Sequence, residues 1–447
     1  MSYAPAHRPL EGVTVVDLSR LLPGPLAAQI LASLGARVIK VEEPKQGDPV
    51  RWAPPADGAG SSLGGMLLAG VESVALDLKK PAGVRTLLAL LERADVLLDT
   101  LRPGTLERLL GCSREQLQEQ FPRLVQCSVS GWGQDGPDAT RSGHDLIYQA
   151  RAGALAPTVE PSAVPVADLV GAWSAATAVL AALYRREGSS PGRQEGARAE
   201  AAADRQEGED LAQQGELGEG RAPSSTGPGC RIDASLYDAA LHANLTGWAA
   251  EAAGTQPVGR PLPLSGALPC YRVYRSADGG FVALALLEDH FWKRFCRAIG
   301  REDLARPHPS DSPQLARELE LLIATENAEH WRRWMARHDL PGDVVLSAAA
   351  ALEDPQQRAR DVVRRGDHGL RLAFPARFDE RRPRGQERVP KLGEQTTSVV
   401  AELTAEGLEL PRWRRRAGVG RRASPRRWLA PGVLRWWTRR WRRRKGS

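Results

Sequence analysis

A chain of 447 residues with 42% apolar content has material for two to four domains at about 100 to 200 residues each, which excludes a small stapled scaffold and a disordered chain. The formal charge is +7, but residues 411–447 hold 15 Lys or Arg and no acid, and taking these away leaves about −8 on the preceding 410 residues. An enzyme of nucleic acid spreads positive charge over its folded surface. This body does not, so no nucleic acid is expected as a partner.

The first 130 residues alternate two periods. Val13-Thr14-Val15-Val16-Asp17-Leu18 is a short β-branched run, residues 25–34 have helical spacing, and Arg37-Val38-Ile39-Lys40-Val41 is a second run. The pattern continues with Val74-Ala75-Leu76-Asp77-Leu78, a helix over 82–93, Asp95-Val96-Leu97-Leu98, helical pieces over 104–120, and Leu124-Val125-Gln126-Cys127-Ser128-Val129. Strands alternating with helices predict a mostly parallel sheet covered on both faces. Ligands of such sheets sit at the carboxyl ends of the strands, so the loops after Asp17, Val41, Leu78 and Asp99 are the places to look.

An Ala-rich helix is predicted over 168–186, with Asp168 at its N-cap or in its first turn. Residues 188–229 have Leu211 and Leu217 as their only large apolar side chains and read as a disordered insertion. Order resumes at Arg231-Ile232-Asp233-Ala234-Ser235-Leu236 with a helix to about 252. A Pro/Gly-rich link over 254–269 leads into a hairpin over 271–288, and helices follow to 337. The expected organisation is 1–187 as the first part of a large domain, 188–229 as the insertion, 230–335 as a small α+β domain, 336–420 as a segment returning to the large domain, and 421–447 as a basic Trp/Arg tail.

No run approaches the 18 or so apolar residues of a membrane span, and the opening MSYAPAHRPLEG lacks the regions of a signal peptide. The expectation is a cytoplasmic protein. Cys112, Cys127, Cys230, Cys270 and Cys296 have no C-x-x-C spacing, which argues against a disulfide framework or a zinc site and predicts reduced thiols.

Gly131-Trp132-Gly133-Gln134-Asp135-Gly136 fits G-x-G-x-x-G after a strand, yet Pro137 and the polar residues beyond it do not open a helix onto a phosphate. A glycine-rich turn leading into a site is the better reading. The chain has no H-E-x-x-H, G-x-S-x-G or P-loop, so metal, serine-hydrolase and nucleotide-phosphate chemistry lack their usual signals. His144, Asp168 and Glu288 are the candidate catalytic groups. Taken singly, each has a bland alternative as a turn residue, a helix N-cap or an exposed helix start.

The segments Leu10-Glu11-Gly12-Val13, Asp17-Leu18-Ser19-Arg20-Leu21-Leu22-Pro23-Gly24-Pro25, Leu34 to Glu42, Leu76-Asp77-Leu78-Lys79, Ala94 to Leu97, Arg102 to Arg108, Gly131 to Pro137, the Asp168 segment, Ile232 to Leu236 and Pro390-Lys391-Leu392-Gly393-Glu394 occur in the order of the family III CoA-transferases. The chain resembles that family, which also contains the 2-methylacyl-CoA racemases, over about 1–187 and 230–420. The resemblance implies an interlocked homodimer with a Rossmann-like open parallel sheet in the large domain and a smaller α+β domain. No permanently bound cofactor is implied, and a coenzyme A thioester is the substrate. Arg20, Leu21, Leu78, Thr100, Leu101 and Arg108 fall at positions that contact CoA in relatives, with Arg108 toward a phosphate and the leucines flanking the adenine. Helix and strand termini suit the pyrophosphate.

The same resemblance makes Asp168 the catalytic aspartate of one of two mechanisms. In the transferases it is a carboxylate nucleophile that hands CoA to an acceptor carboxylic acid. In the racemases it shares α-proton transfer with a histidine, and a glutamate orients that histidine. His144 and Glu288 match the racemase pattern, and a neutral imidazole suits removal of an α-proton. Racemisation of a 2-methylacyl-CoA is therefore the leading expectation and CoA transfer the alternative. A CoA-binding or membrane-tethered scaffold is the reading from another class. With only 3 Met, the chain lacks the methionine-rich surface of racemases that bind fatty tails. In the tail, Val433, Trp436, Trp437 and Trp441 form an apolar stripe among arginines, a pattern suited to weak contact with an anionic membrane, to nucleic acid, or to a solvated extension. The acyl group and the acceptor acid are not encoded in any of these signals.

Overall fold

The computed structural model describes residues 8–57, 60–155, 164–188, 227–254, 266–305, 312–366, 369–383 and 387–405. Most of the insertion and all of the basic tail lie outside the described residues. The chain divides into two compact units, one of residues 1–148, 165–239 and 362 onward, the other of 149–164 and 240–361.

The first unit is built on a parallel six-stranded sheet. Its strands are β1 (Thr14–Asp17), β2 (Arg37–Glu42), β5 (Glu72–Ala75), β6 (Val96–Asp99), β7 (Val125–Ser130) and β8 (Arg231–Ser235), in the order β5-β2-β1-β6-β7-β8. Two-residue strands β3 (Ala56–Asp57) and β4 (Gly60–Ser61) pair separately. The strands β1, β6 and β7 are almost wholly buried, because helices cover both faces of a parallel sheet. Val16, Ile39, Val74 and Leu97 share one core cluster with Leu87 and Leu90 of the helix Pro81–Leu91 and with Val399 and Leu403 of the helix Thr396–Ala405. The chain builds outward from β1 through β2 to β5, then restarts at β6 on the other side of β1. That reversal opens a crevice at the carboxyl ends of β1 and β6, where open α/β sheets bind ligands.

Three expectations are corrected. The strand expected over 74–78 runs over Glu72–Ala75 instead, because Glu72 and Ser73 pair with Ile39 and Lys40 of β2. Leu78 therefore sits in a loop. Arg231–Ser235 does not open the small domain: Ile232 pairs with Cys127 and Ala234 with Val129, so this strand is the edge of the large sheet. The return to the first unit comes at Val362 rather than at 336.

In the second unit, β9 (Tyr271–Arg275), β10 (Phe281–Ala285) and β11 (Gly342–Val344) form an antiparallel sheet in the order β11-β10-β9. The predicted hairpin is β9 and β10, and β11 joins because Val344 pairs with Val282. One face packs Tyr274, Val282 and Leu284 against Trp292, Phe295, Ile323, Trp331 and Met335 of the following helices. The five cysteines form no disulfide.

The helix Val166–Gly188 is long and apolar enough to cross a bilayer by composition alone. Here it is a core helix, with Ala172, Ala175, Ala176 and Val179 buried. Its last turn is tied down by Arg186, whose guanidinium donates to Asp95 Oδ1 at 2.7 Å and to the Arg123 carbonyl at 3.2 Å.

Candidate active site

Four loops, those after β1, β2, β5 and β6, meet at the carboxyl edge of the large sheet. The loop after β1 begins with Leu18, whose N–H donates to the Leu98 carbonyl of β6 at 2.7 Å. Its next three backbone N–H groups each meet a side chain: Ser19 donates to Asp17 Oδ1 at 2.7 Å, Arg20 to Thr100 Oγ1 at 2.9 Å and Leu21 to Asp48 Oδ1 at 3.0 Å. Leu21 has φ 70°, a left-handed conformation that costs a non-glycine residue about 1–2 kcal/mol, and its side chain is 46% exposed. The helix Pro23–Ser33 starts hard against this loop. A Cβ on Gly24 would lie 2.2 Å from Ser19 Cβ and 2.6 Å from Thr100 Cγ2, so only glycine fits there.

A cleft of about 420 Å³ opens over these strand ends, and Leu18, Arg20, Gln46, Leu78, Lys79 and Leu101 are among its lining residues. Three of the six residues expected to contact CoA, Arg20, Leu78 and Leu101, therefore line it. Leu21 and Thr100 stand in the same loops, joined as described. Arg108 lies on the helix Thr105–Leu110, exposed, and donates to Thr105 Oγ1 at 2.9 Å.

A buried charged network that sequence reasoning missed supports the cleft, and its Glu42 and Asp48 are among the lining residues. Lys40, 1% exposed, directs its ammonium at Asp17 Oδ2 and Asp48 Oδ2, both at 3.0 Å, and at the Ser19 carbonyl at 2.8 Å. Burial lowers its pKa, but the charges of Asp17, Asp48 and Glu42 outweigh that and hold it above the ordinary lysine range. Glu42 grips Arg51 through two bonds of 2.7 and 2.6 Å and accepts from Ser73 Oγ at 2.6 Å. Burial opposes its ionisation, and these partners carry its pKa below the usual carboxylate range.

The loop after β7 leads to the acid/base candidates. Arg102, in the loop after β6, donates to Ser142 Oγ at 2.7 Å and so links the edge of the cleft to the His144 segment. His144 is exposed and its carbonyl accepts from Ile147 N–H at 2.8 Å, starting the helix Asp145–Arg151. Asp145 Oδ1 accepts the backbone N–H of Asp168 at 3.2 Å. Two helix N-termini are thereby joined, and His144 is brought beside the start of the Asp168 helix. Asp168 lies in the first turn of Val166–Gly188. Its carboxyl is pushed up to about 7, first by burial and then by the charge of Asp145.

Tyr148 is 4% exposed, with its ring 5.0 Å from that of Trp132. Burial and the Asp168 charge push its hydroxyl up to about 12. A Cβ on Gly131 would lie 2.3 Å from the Tyr148 hydroxyl oxygen, and one on Gly143 would lie 2.6 Å from its ring. The glycines of the apparent G-x-G-x-x-G run thus serve ring packing and, at Gly133 and Gly136, positive φ. No helix follows them, as Pro137 implies.

Glu288 belongs to the second unit, exposed, at the N-cap of the helix Asp289–Ala298, where its carbonyl accepts from Phe291 and Trp292 N–H at 3.0 Å. Asp145 and Tyr148 were not singled out beforehand. The sequence signal for Asp145 was its place next to His144 in Gly-His-Asp.

Comparison with known proteins identifies the family. An acetyl-CoA:oxalate CoA-transferase of Acetobacter aceti is 29% identical over 419 residues, covering 89% of this chain and 96% of the relative. The human alpha-methylacyl-CoA racemase is 29% identical over 335 residues, covering 72% of this chain and 74% of the relative. The crystal structure of a CAIB/BAIF family protein from Brucella suis superposes with a TM-score of 0.69 at 25% identity, covering 89% of this chain and all of that one. The pattern of CoA-transferase family III matches residues 10–205 and 211–396, and the chain belongs to that family of acyl-CoA enzymes.

Proposed function

We propose that this enzyme racemises the α-carbon of a 2-methylacyl-CoA, with His144 and Asp168 as its acid/base pair. The observation that carries the reading is the Asp168 N–H donating to Asp145 Oδ1 at 3.2 Å, which joins the His144 segment to the start of the Asp168 helix, where burial and the Asp145 charge push the Asp168 carboxyl up to about 7. Near neutral pH the group exists in both protonation states, which is what a general acid/base needs. A neutral His144 imidazole takes the α-proton, the C–H electron pair moves into the thioester as an enolate, and protonated Asp168 delivers its proton to the opposite face. The two groups end with exchanged protons, and the reverse reaction resets them. The cleft over β1, β2, β5 and β6 is assigned to the CoA moiety.

The test is incubation with a short (2S)-2-methylacyl-CoA and a panel of carboxylic acids in D2O, followed by mass spectrometry of the thioesters. A one-dalton gain on the starting thioester supports proton exchange, and its absence overturns the reading. New acyl-CoA species without that gain support CoA transfer through Asp168 as a nucleophile. That second reading is favoured by the transferase names among the relatives, such as the acetyl-CoA:oxalate enzyme.

A further inference from the structure

The loop that meets the cleft is not held by its own backbone. Ser19, Arg20 and Leu21 donate in succession to Asp17, Thr100 and Asp48, and the Ser19 carbonyl accepts from Lys40. Asp48 is 2% exposed and joins every part of this arrangement. Its Oδ1 accepts from both Leu21 and Val50 N–H, its Oδ2 pairs with Lys40, and its own N–H donates to Glu42 Oε1 at 2.9 Å. Two buried groups therefore keep an exposed residue at positive φ and the arginine before it in one fixed shape. A leucine left free would relax to negative φ, which would swing Arg20 and Leu21 away from where they stand.

We propose that Asp48 and Lys40 are positioning residues for the nucleotide end of a CoA thioester, acting through the clamped Ser19–Leu21 backbone that presents Arg20 and Leu21 to it. The inference rests on the assignment of the cleft to CoA. A loop already held in its binding shape spares the ligand the cost of ordering it, so the clamp acts on affinity for the nucleotide and not on the chemical step. Lys40 is 1% exposed and does not line the cleft, whereas Asp48 does line it but is 2% exposed, with its carboxylate taken up by Leu21, Val50 and Lys40.

The experiment compares turnover of an acyl-CoA with that of the matching acyl-pantetheine, which lacks the nucleotide, in the unaltered protein and in Asp48→Asn. The asparagine keeps the shape and the Oδ1 acceptor but turns an amide toward the Lys40 ammonium. The expected result is a KM for acyl-CoA raised by about tenfold or more with kcat within about threefold, and an unchanged kcat/KM for acyl-pantetheine. An equal loss on both thioesters, or no loss on either, overturns the proposal. Should Asp48→Asn fail to melt as a folded protein, Thr100→Val removes the acceptor of the Arg20 N–H from a half-buried position, and Thr100→Ser restores it. The same nucleotide-dependent rise in KM is then expected in the valine variant and its reversal in the serine variant, and a KM unmoved in both overturns the proposal. A calorimetric titration of the unaltered protein with CoA separates the two levels of argument. Absence of binding overturns the CoA assignment and this inference with it, whereas intact binding with unmoved KM overturns the inference alone.

Discussion

The Asp168 backbone N–H donates to the Asp145 carboxylate at 3.2 Å, so the Asp168 carboxyl shares one helix entrance with a second negative charge. Burial is the first cause of the raised Asp168 pKa and Asp145 the second. Replacing Asp145 with Asn removes only the second. The midpoint of the pH–rate profile assigned to Asp168 is expected to move down by about one unit or less, since desolvation remains. A profile of deuterium incorporation against pH checks this, and an upward shift would contradict it.

The same raised pKa is a statement about stability. An unfolded aspartate titrates near 3.9, whereas folded Asp168 titrates at about 7. Between these values the folded state binds more protons than the unfolded, so its stability falls as pH rises through that window and levels off above 7. Asp168→Asn is therefore expected to abolish turnover yet stabilise the fold at pH 8 by on the order of 1–3 kcal/mol, after discount for partial solvent exposure. The gain should vanish near pH 4. Melting temperatures of the two proteins across that range decide the matter, and a variant less stable than the parent at pH 8 would refute it.

Lys40 is the reverse case. Its ammonium donates to Asp17 Oδ2 and the Ser19 carbonyl and forms an ion pair with Asp48 Oδ2 at 3.0 Å. Lys40→Met leaves two carboxylates buried without their cation, and the cost of breaking a buried pair in this way is about 3–5 kcal/mol. Denaturant unfolding should show a loss of that order, while replacement of the exposed Lys80, whose partner Asp77 lies at 3.5 Å, should cost no more than about 0.5 kcal/mol.

Much of this was legible in the chain, for physical reasons that can be named. Short β-branched runs such as Val13 to Leu18 and the helical spacing around Pro25 to Leu34 are local patterns, and the elements formed close to where they were expected. What failed depended on partners distant in sequence. The shift of the third long strand to Glu72–Ala75 follows from its register with β2 and from Ser73 Oγ bonding Glu42. The large-sheet membership of Arg231–Ser235 follows from pairing across a crossover of a hundred residues. Lys40, set in Val-Ile-Lys-Val, gives no local sign that Asp17 and Asp48 will neutralise it. For the site, Asp168 and His144 stood out through resemblance, while the role of Asp145 required two helix starts to meet.

The helix that carries Asp168 in its first turn also bears on the insertion. At 1.5 Å per residue, Asp168 and Gly188 stand about 30 Å apart along Val166–Gly188. Arg186, in the last turn, is bound to Asp95 at the amino end of β6, the edge of the sheet opposite the cleft. The Arg186 carbonyl also accepts the N–H of Gly227 at 2.9 Å, so the chain leaves and returns at one place, far from Asp168. Replacing residues 189–226 by a short Gly/Ser link is accordingly expected to leave kcat/KM within about twofold. Closing a shorter loop should also raise stability by on the order of 1–2 kcal/mol. Kinetics and thermal melting of the shortened protein test both parts, and a tenfold loss of kcat/KM in a protein that still melts normally would mean that the inserted residues reach the site.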